Sequence, residues 1–165
     1  MNRLLMTIDP RKLRDCLGCF TTGVAIATTI AEDSTLAGLT INSFSSVSLD
    51  PPLVLFSIDR NAASFKIFCA AKHFAINVLN QHQLLLSQRF ALSNHDKWKD
   101  MDYSLGKHSG CPLIGDALAS FECIVEHRYE GGDHIILVGK VLEANRLVTD
   151  TPPLLYYQGA YRVLK

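Results

Sequence analysis

The chain has no apolar stretch approaching the ~18 residues of a membrane-spanning helix, and its opening MNRLLMTIDP lacks the long apolar run of a secretory leader. A cytoplasmic protein is expected. No run of like charge is longer than two residues, and sixteen basic residues balance sixteen acidic ones. A nucleic-acid partner would need a basic stripe, and there is none. Five cysteines, an odd number at irregular spacing, do not make a disulfide framework, so reduced thiols are expected. Six histidines are scattered at 73, 82, 95, 108, 127 and 134 with no pair at helical spacing, so no metal site is expected. The sequence holds no Gly-x-Ser-x-Gly elbow and no Walker-type phosphate loop, which sets aside the serine hydrolase and nucleotide triphosphatase classes. It also lacks Gly-x-Gly-x-x-Gly, so any nicotinamide nucleotide has to bind without a Rossmann turn.

What is present is apolar material. Hydrophobic residues make up 48% of the 165 positions and charged residues 19%. A chain of that length forms one domain, 1–165, and buries roughly two thirds of its unfolded surface. The apolar excess favours a homodimer.

Asp9-Pro10 is a helix start, and Leu13, Cys16, Leu17 and Phe20 follow at helical spacing, which predicts a helix over 10–19 with Cys16 in the core. Residues 23–30 and 36–40 read as a hairpin, 53–58 as a buried strand, and 73–79 as another strand. Asn61 is placed to cap a helix over 61–71, and a second helix is expected over 81–90. The polar stretch 91–110, centred on Asn94-His95-Asp96-Lys97-Trp98, reads as a long functional loop. Segments 119–129 and 134–148 form a hairpin across Glu130-Gly131-Gly132-Asp133. Strands outweigh helices, which predicts a closed antiparallel barrel with helices outside.

The densest chemistry lies between Gly38 and Asp59, GLTINSFSSVSLDPPLVLFSID. Small hydroxyl residues there allow a flat ligand to lie close to the backbone and offer it hydrogen bonds. The helix start at Asn61-Ala62-Ala63-Ser64 suits either a phosphate or an ordinary cap. Gly132-Asp133-His134 suits either a ligand contact or a plain glycine turn. Cys16-Leu17-Gly18-Cys19 has the spacing of a redox dithiol or half a zinc site, but lacks a second ligand pair and closes a helix rather than opening one. Structural thiols are the expected reading.

In their order and spacing, FTTGVAIAT, LTINSFSSVSLDPPLVLFSID, NAAS, HFAINVL, KW, GGDHIILVGKV and PLLYYQGAYRVL resemble the short-chain flavin reductases, the reductase partners of two-component flavin monooxygenases. The resemblance runs from about Leu13 to the C-terminus. It implies a split β-barrel homodimer holding FMN or FAD and using NADH or NADPH. It implies further that Thr40, Ile41, Asn42 and Ser43 line the isoalloxazine ring and that Ser46, Val47 and Ser48 continue the wall. Ser57 would be another contact, Ala62 and Ser64 the phosphate corner, and Phe90 and Trp98 residues closing over the cofactor. Gly132, Asp133 and His134 would serve the nicotinamide side, with Tyr157 a weaker match in the tail. A flavin-retaining electron carrier or sensor, a pyridoxine-phosphate oxidase and an empty structural barrel share the same broad features.

Overall fold

The computed structural model describes residues 8–93 and 96–164. Asn94 and His95, the centre of the expected loop, and most of the opening segment lie outside the described residues. Helix α1 (Pro10–Leu17) starts where Asp9 accepts the Arg11 N–H at 3.0 Å. It ends two residues short of the expected Cys19, and none of its residues is buried. Cys16 is therefore exposed, which corrects the core placement read from its spacing.

Strands β1 (Thr22–Gly23), β2 (Ala25–Ile30), β3 (Leu36–Ile41), β4 (Ser45–Leu49) and β5 (Pro52–Asp59) follow, then helix α2 (Phe65–Ala70) and strand β6 (His73–Val78). A 3-10 turn (Gln81–Gln83) leads into α3 (Leu84–Ala91), with Asn80 and Gln83 forming a capping box. The remainder is β7 (Tyr103–Leu105), β8 (Pro112–Ile114), β9 (Ala119–Gly131), β10 (His134–Arg146), β11 (Leu155–Tyr157) and β12 (Ala160–Arg162). The expected 91–110 loop thus contains β7, paired with β8. Asn61 does not cap α2: it bonds Asp59, and the helix begins after Ser64.

Seven strands form one antiparallel sheet in the order β3-β2-β6-β9-β10-β5-β4. Its two edge strands are consecutive in sequence, with only residues 42–44 between them. Among the described residues no ladder joins β3 to β4, so the sheet curls toward itself without closing. The expected closed barrel is corrected to this open sheet. Asn42-Ser43-Phe44 has to span the opening as a loop and cannot pair there as a strand.

Every residue of β2 from Ala25 to Thr29 is buried, because the sheet is covered on both faces. Ala25 and Ala27 face one core with Phe56, Phe68 and Phe74, whose rings pack edge to face at 5.7 and 5.1 Å. Ile26 faces the other with Val24, Leu79, Phe90 and Leu154. Each such large side chain contributes on the order of 1.5–3 kcal/mol by burial. Polar pins fix the connections: buried Asn77 donates to the Ile26 carbonyl at 3.2 Å and accepts the Ile114 N–H at 2.9 Å, and Thr28 donates to the Pro112 carbonyl at 2.6 Å.

Candidate active site at the end of strand β5

Strand β5 carries the site. Its odd-numbered residues Leu53, Leu55 and Ser57 face outward, half-buried, while Val54, Phe56 and Ile58 enter the core. On one side Ser43 lies across from Ser57. Its hydroxyl donates to the Ser57 carbonyl at 3.1 Å and accepts the Ser57 N–H at 3.0 Å, standing in for backbone pairing beyond the last ladder pair, Ser45 with Leu55. On the other side His134 pairs with Asp59 and Ile136 with Ser57.

The turn that presents His134 is a two-residue hairpin loop, Gly132-Asp133, with Gly132 at φ +74°. A left-handed first loop residue is what a tight hairpin of this twist needs, and glycine takes it without strain. The loop is tied to the end of β5: the Arg60 N–H donates to the Asp133 carbonyl at 3.0 Å, the Arg60 side chain donates to the Gly132 carbonyl at 3.2 Å, and Arg60 pairs with Glu130. His134 Nδ1 lies 2.7 Å from Asp133 Oδ1. That hydrogen bond and the imidazole beside it hold the Asp133 carboxyl below its ordinary value.

The structure therefore gathers Ser43, Ser57, Asp133 and His134 at one end of β5. Ser46, Val47 and Ser48 continue along β4 toward the other end, opposite Val54 and Leu53. Five residue steps separate Val54 from Asp59, roughly 17 Å. A bulge leaves Val47 without a ladder partner on β5, exposing its backbone groups. Among the described residues the side chains of Asn42, Ser46 and Ser48 make no hydrogen bond. The Thr40 hydroxyl, in contrast, donates to the Ser87 carbonyl at 2.6 Å, so Thr40 ties β3 to α3.

Two cavities flank β3. One, about 240 Å³, is bounded by Thr40, Ile41, Asn42, Tyr156 and Tyr161. The other, about 220 Å³, is bounded by Gly38, Ala63, Ser64, Lys97 and Trp98. Phe90 stands near both but opens into neither: it is 1% exposed, its ring packs edge to face on Trp98 at 5.1 Å, and it fills the space that a side chain on Gly38 would need. Its side chain supports the wall at Gly38 from behind. Trp98 donates its indole N–H to the Leu36 carbonyl at 3.1 Å and borders the second cavity. Lys97 donates to the carbonyls of Gly38 and Phe90 at 3.0 and 2.9 Å, and its burial lowers its pKa. Ala62 is half-buried, and the Ser64 hydroxyl makes no capping bond to its own helix. Tyr157 pairs with Ala160 and does not border either cavity; its neighbours Tyr156 and Tyr161 do. A third cavity, about 680 Å³, touches none of the expected residues.

A family model described as "Flavin reductase like domain" matches residues 17–165. The chain belongs to this flavin reductase family. It is 42% identical over 153 residues to "FMN reductase (NADH) SmoA" of Agrobacterium fabrum, covering 93% of this chain and 85% of that one. It is 37% identical over 155 residues to "Flavin-dependent monooxygenase, reductase subunit HsaB" of Mycobacterium tuberculosis, covering 93% and 82%. Among solved structures, Streptomyces globisporus NADH:FAD oxidoreductase SgcE6 with NAD and FAD fragments superposes at a TM-score of 0.89, with 37% identity and 96% of each chain covered. The chain spans about half the length, 42% and 48%, of two other curated relatives it matches.

Beside these residues the chain carries two features that the sequence reading missed. Ser87 links the wall to the tail, since its carbonyl accepts from Thr40 and its hydroxyl lies 2.9 Å from the Tyr161 hydroxyl. Glu122, on β9, is a buried carboxylate that accepts the N–H of His108 and both the N–H and hydroxyl of Ser109, at 2.7–2.9 Å. It fixes the turn that connects β7 to β8. One of three glutamates on β9, it gave no sequence signal of this.

Proposed function

We propose that the chain is an NAD(P)H-dependent flavin oxidoreductase that reduces FMN or FAD and releases it to a separate monooxygenase component, with residues 1–165 acting as one domain. The convergence of Ser43, Ser57, Asp133 and His134 at the end of β5 carries this reading. The residues present suit a flavin. The exposed backbone at Val47 and the unbonded hydroxyls of Ser46 and Ser48 offer donors to the ring edge, and Asn42 extends that row. Thr40 and Ile41 set the spacing behind it. Ser64 supplies an uncapped hydroxyl at the phosphate end beside Ala62, with Trp98 near them.

When bound, the flavin ring supplies a two-electron acceptor and reduced nicotinamide supplies the hydride. The protein's task is positional: it holds two flat rings face to face and stabilises charge on the acceptor with fixed dipoles. No side chain has to exchange a proton in that step. Asp133 orients the His134 ring through Nδ1, leaving Nε2 to meet the nicotinamide nucleotide, while Gly132 keeps the approach open. Tyr157 holds the tail hairpin whose Tyr156 and Tyr161 border the ring side. Within this reading the partner is a monooxygenase, and the nicotinamide supply sets the protein in the cytoplasm. The half-buried outer face of β5 and β10, together with Leu49 at 95% exposure at the end of the neighbouring β4, supports a homodimer. Among the described residues no helix is long and apolar enough to cross a membrane.

The test is steady-state oxidation of NADH and NADPH crossed with FMN, FAD and riboflavin. Turnover with free flavin supports the reading. Flavin retained through dialysis with no turnover of added flavin would replace it with a tightly bound electron carrier.

A further inference from the structure

Cys16 and Cys19 are left unused by the site, and the structural role that their spacing suggested has no core to serve. Both are exposed. Cys16 sits in the last turn of α1 and Cys19 follows its end, with the Cys19 N–H donating to the Cys16 carbonyl at 3.1 Å. A turn closed in this way holds its outer Cα atoms within ~7 Å, and a disulfide spans ~4.4–6.8 Å between Cα atoms. The Cys19 thiol points to the Asp15 carbonyl at 3.5 Å, which brings its sulfur back over the turn that carries Cys16. Gly18 between them is anchored from outside, since its carbonyl accepts the Gln158 N–H of the β11–β12 turn at 2.9 Å. Of the three other cysteines, Cys69 is half-buried and two contrast fully with these. Cys111 and Cys123 are buried, and burial pushes the Cys123 thiol up to about 12, so that pair is chemically silent in the folded protein.

We propose that Cys16 and Cys19 form a redox-active dithiol that hydrogen peroxide converts to an intramolecular disulfide. The oxidant is supplied by the enzyme's own product: released reduced flavin that meets dioxygen instead of an oxygenase returns to oxidised flavin and yields hydrogen peroxide. One thiolate attacks a peroxide oxygen, the O–O bond breaks, and one water leaves with a sulfenic acid formed. The second thiolate attacks that sulfur, the S–S bond forms and a second water departs. Two thiols lose two electrons and two protons in total, and one peroxide becomes two waters. The peroxide source rests on the flavin reductase reading; the dithiol does not.

Trypsin separates the two cysteine pairs. The segment from Asp15 to Arg60 contains Cys16 and Cys19 and no other cysteine, whereas Cys111 and Cys123 share His108 to Arg128. The intact protein is treated with hydrogen peroxide, alkylated with iodoacetamide, digested and weighed. The expected result is an Asp15–Arg60 segment two hydrogen atoms lighter that takes no alkyl group, with dithiothreitol restoring two. Cys19→Ser abolishes that loss while Cys16 becomes trappable as a sulfenic acid by dimedone. Persistent double alkylation, oxygen adducts on single thiols without the lighter segment, or disulfides only between chains would overturn the proposal. In a second arm the protein turns over NADH and FMN in air, with and without catalase. Disulfide that accumulates only without catalase is expected. Disulfide formation with added peroxide but none during turnover overturns the proposed oxidant, and absent NADH oxidation in that arm identifies failure of the reductase reading instead.

Discussion

Ser43 and Ser57 exchange two hydrogen bonds through one hydroxyl, at 3.0 and 3.1 Å, between the 42–44 loop and strand β5. The contact sits where β4 has ended and β5 still needs a partner. Replacing Ser43 with alanine leaves both backbone groups of Ser57 unpaired in a half-buried place. The expected cost is about 1–3 kcal/mol, read as a fall in Tm of several degrees, with weaker flavin binding in a titration.

His134 is held by Asp133 at 2.7 Å and by no bond to the wall. Loss of one oriented hydrogen bond to the nucleotide is worth about 1 kcal/mol, or roughly fivefold. His134→Ala is expected to raise the KM for NADH or NADPH by about that factor while the flavin dissociation constant stays within twofold. Equal losses on both sides would place His134 outside the nicotinamide role.

Glu122 predicts an acid limb. Burial raises its carboxyl, but the stronger sum of hydrogen bonds from Ser109 and His108 carries the net value below the ordinary 4.5. Its folded pKa is depressed, so its stabilisation is fully present above the unfolded pKa and is lost as pH falls through the folded one. Glu122→Gln is expected to lower stability at neutral pH by about 1–3 kcal/mol and to flatten the loss of Tm seen below about pH 4.5 in the unsubstituted protein. Denaturant unfolding at a series of pH values checks both.

Gly38 is packed under Phe90. A Cβ there would lie 2.6 and 2.9 Å from two ring carbons of Phe90 and 3.3 Å from Trp98. Gly38→Ala is expected to destabilise by about 1–3 kcal/mol through overpacking. Adding Phe90→Leu should recover part of that loss, since the two substitutions share one space. Additive costs in the double-mutant cycle would refute the contact.

The sequence by itself determined many of the local elements and the family. Asp9-Pro10 starts a helix because a carboxylate and a preset ring satisfy its first turn. Gly132-Asp133 makes a hairpin because glycine accepts the left-handed angle, and the order of segments marks the flavin reductase family. These signals are carried by neighbouring residues. What only the tertiary structure decided depends on partners far along the chain. The three-residue β7 and β8 exist because Asn77 and Thr28 hold Pro112 and Ile114 from other strands, and no local period announces that. Cys16 lies on an uncovered helix although its spacing is amphipathic, because a pattern shows which face is apolar and not whether anything packs on it. Phe90 and Trp98 look alike in sequence, yet one ring fills the gap above Gly38 and the other borders a cavity. The opening between β3 and β4 arises because three residues link the sheet's two edges without pairing them, a matter of where the whole sheet curls.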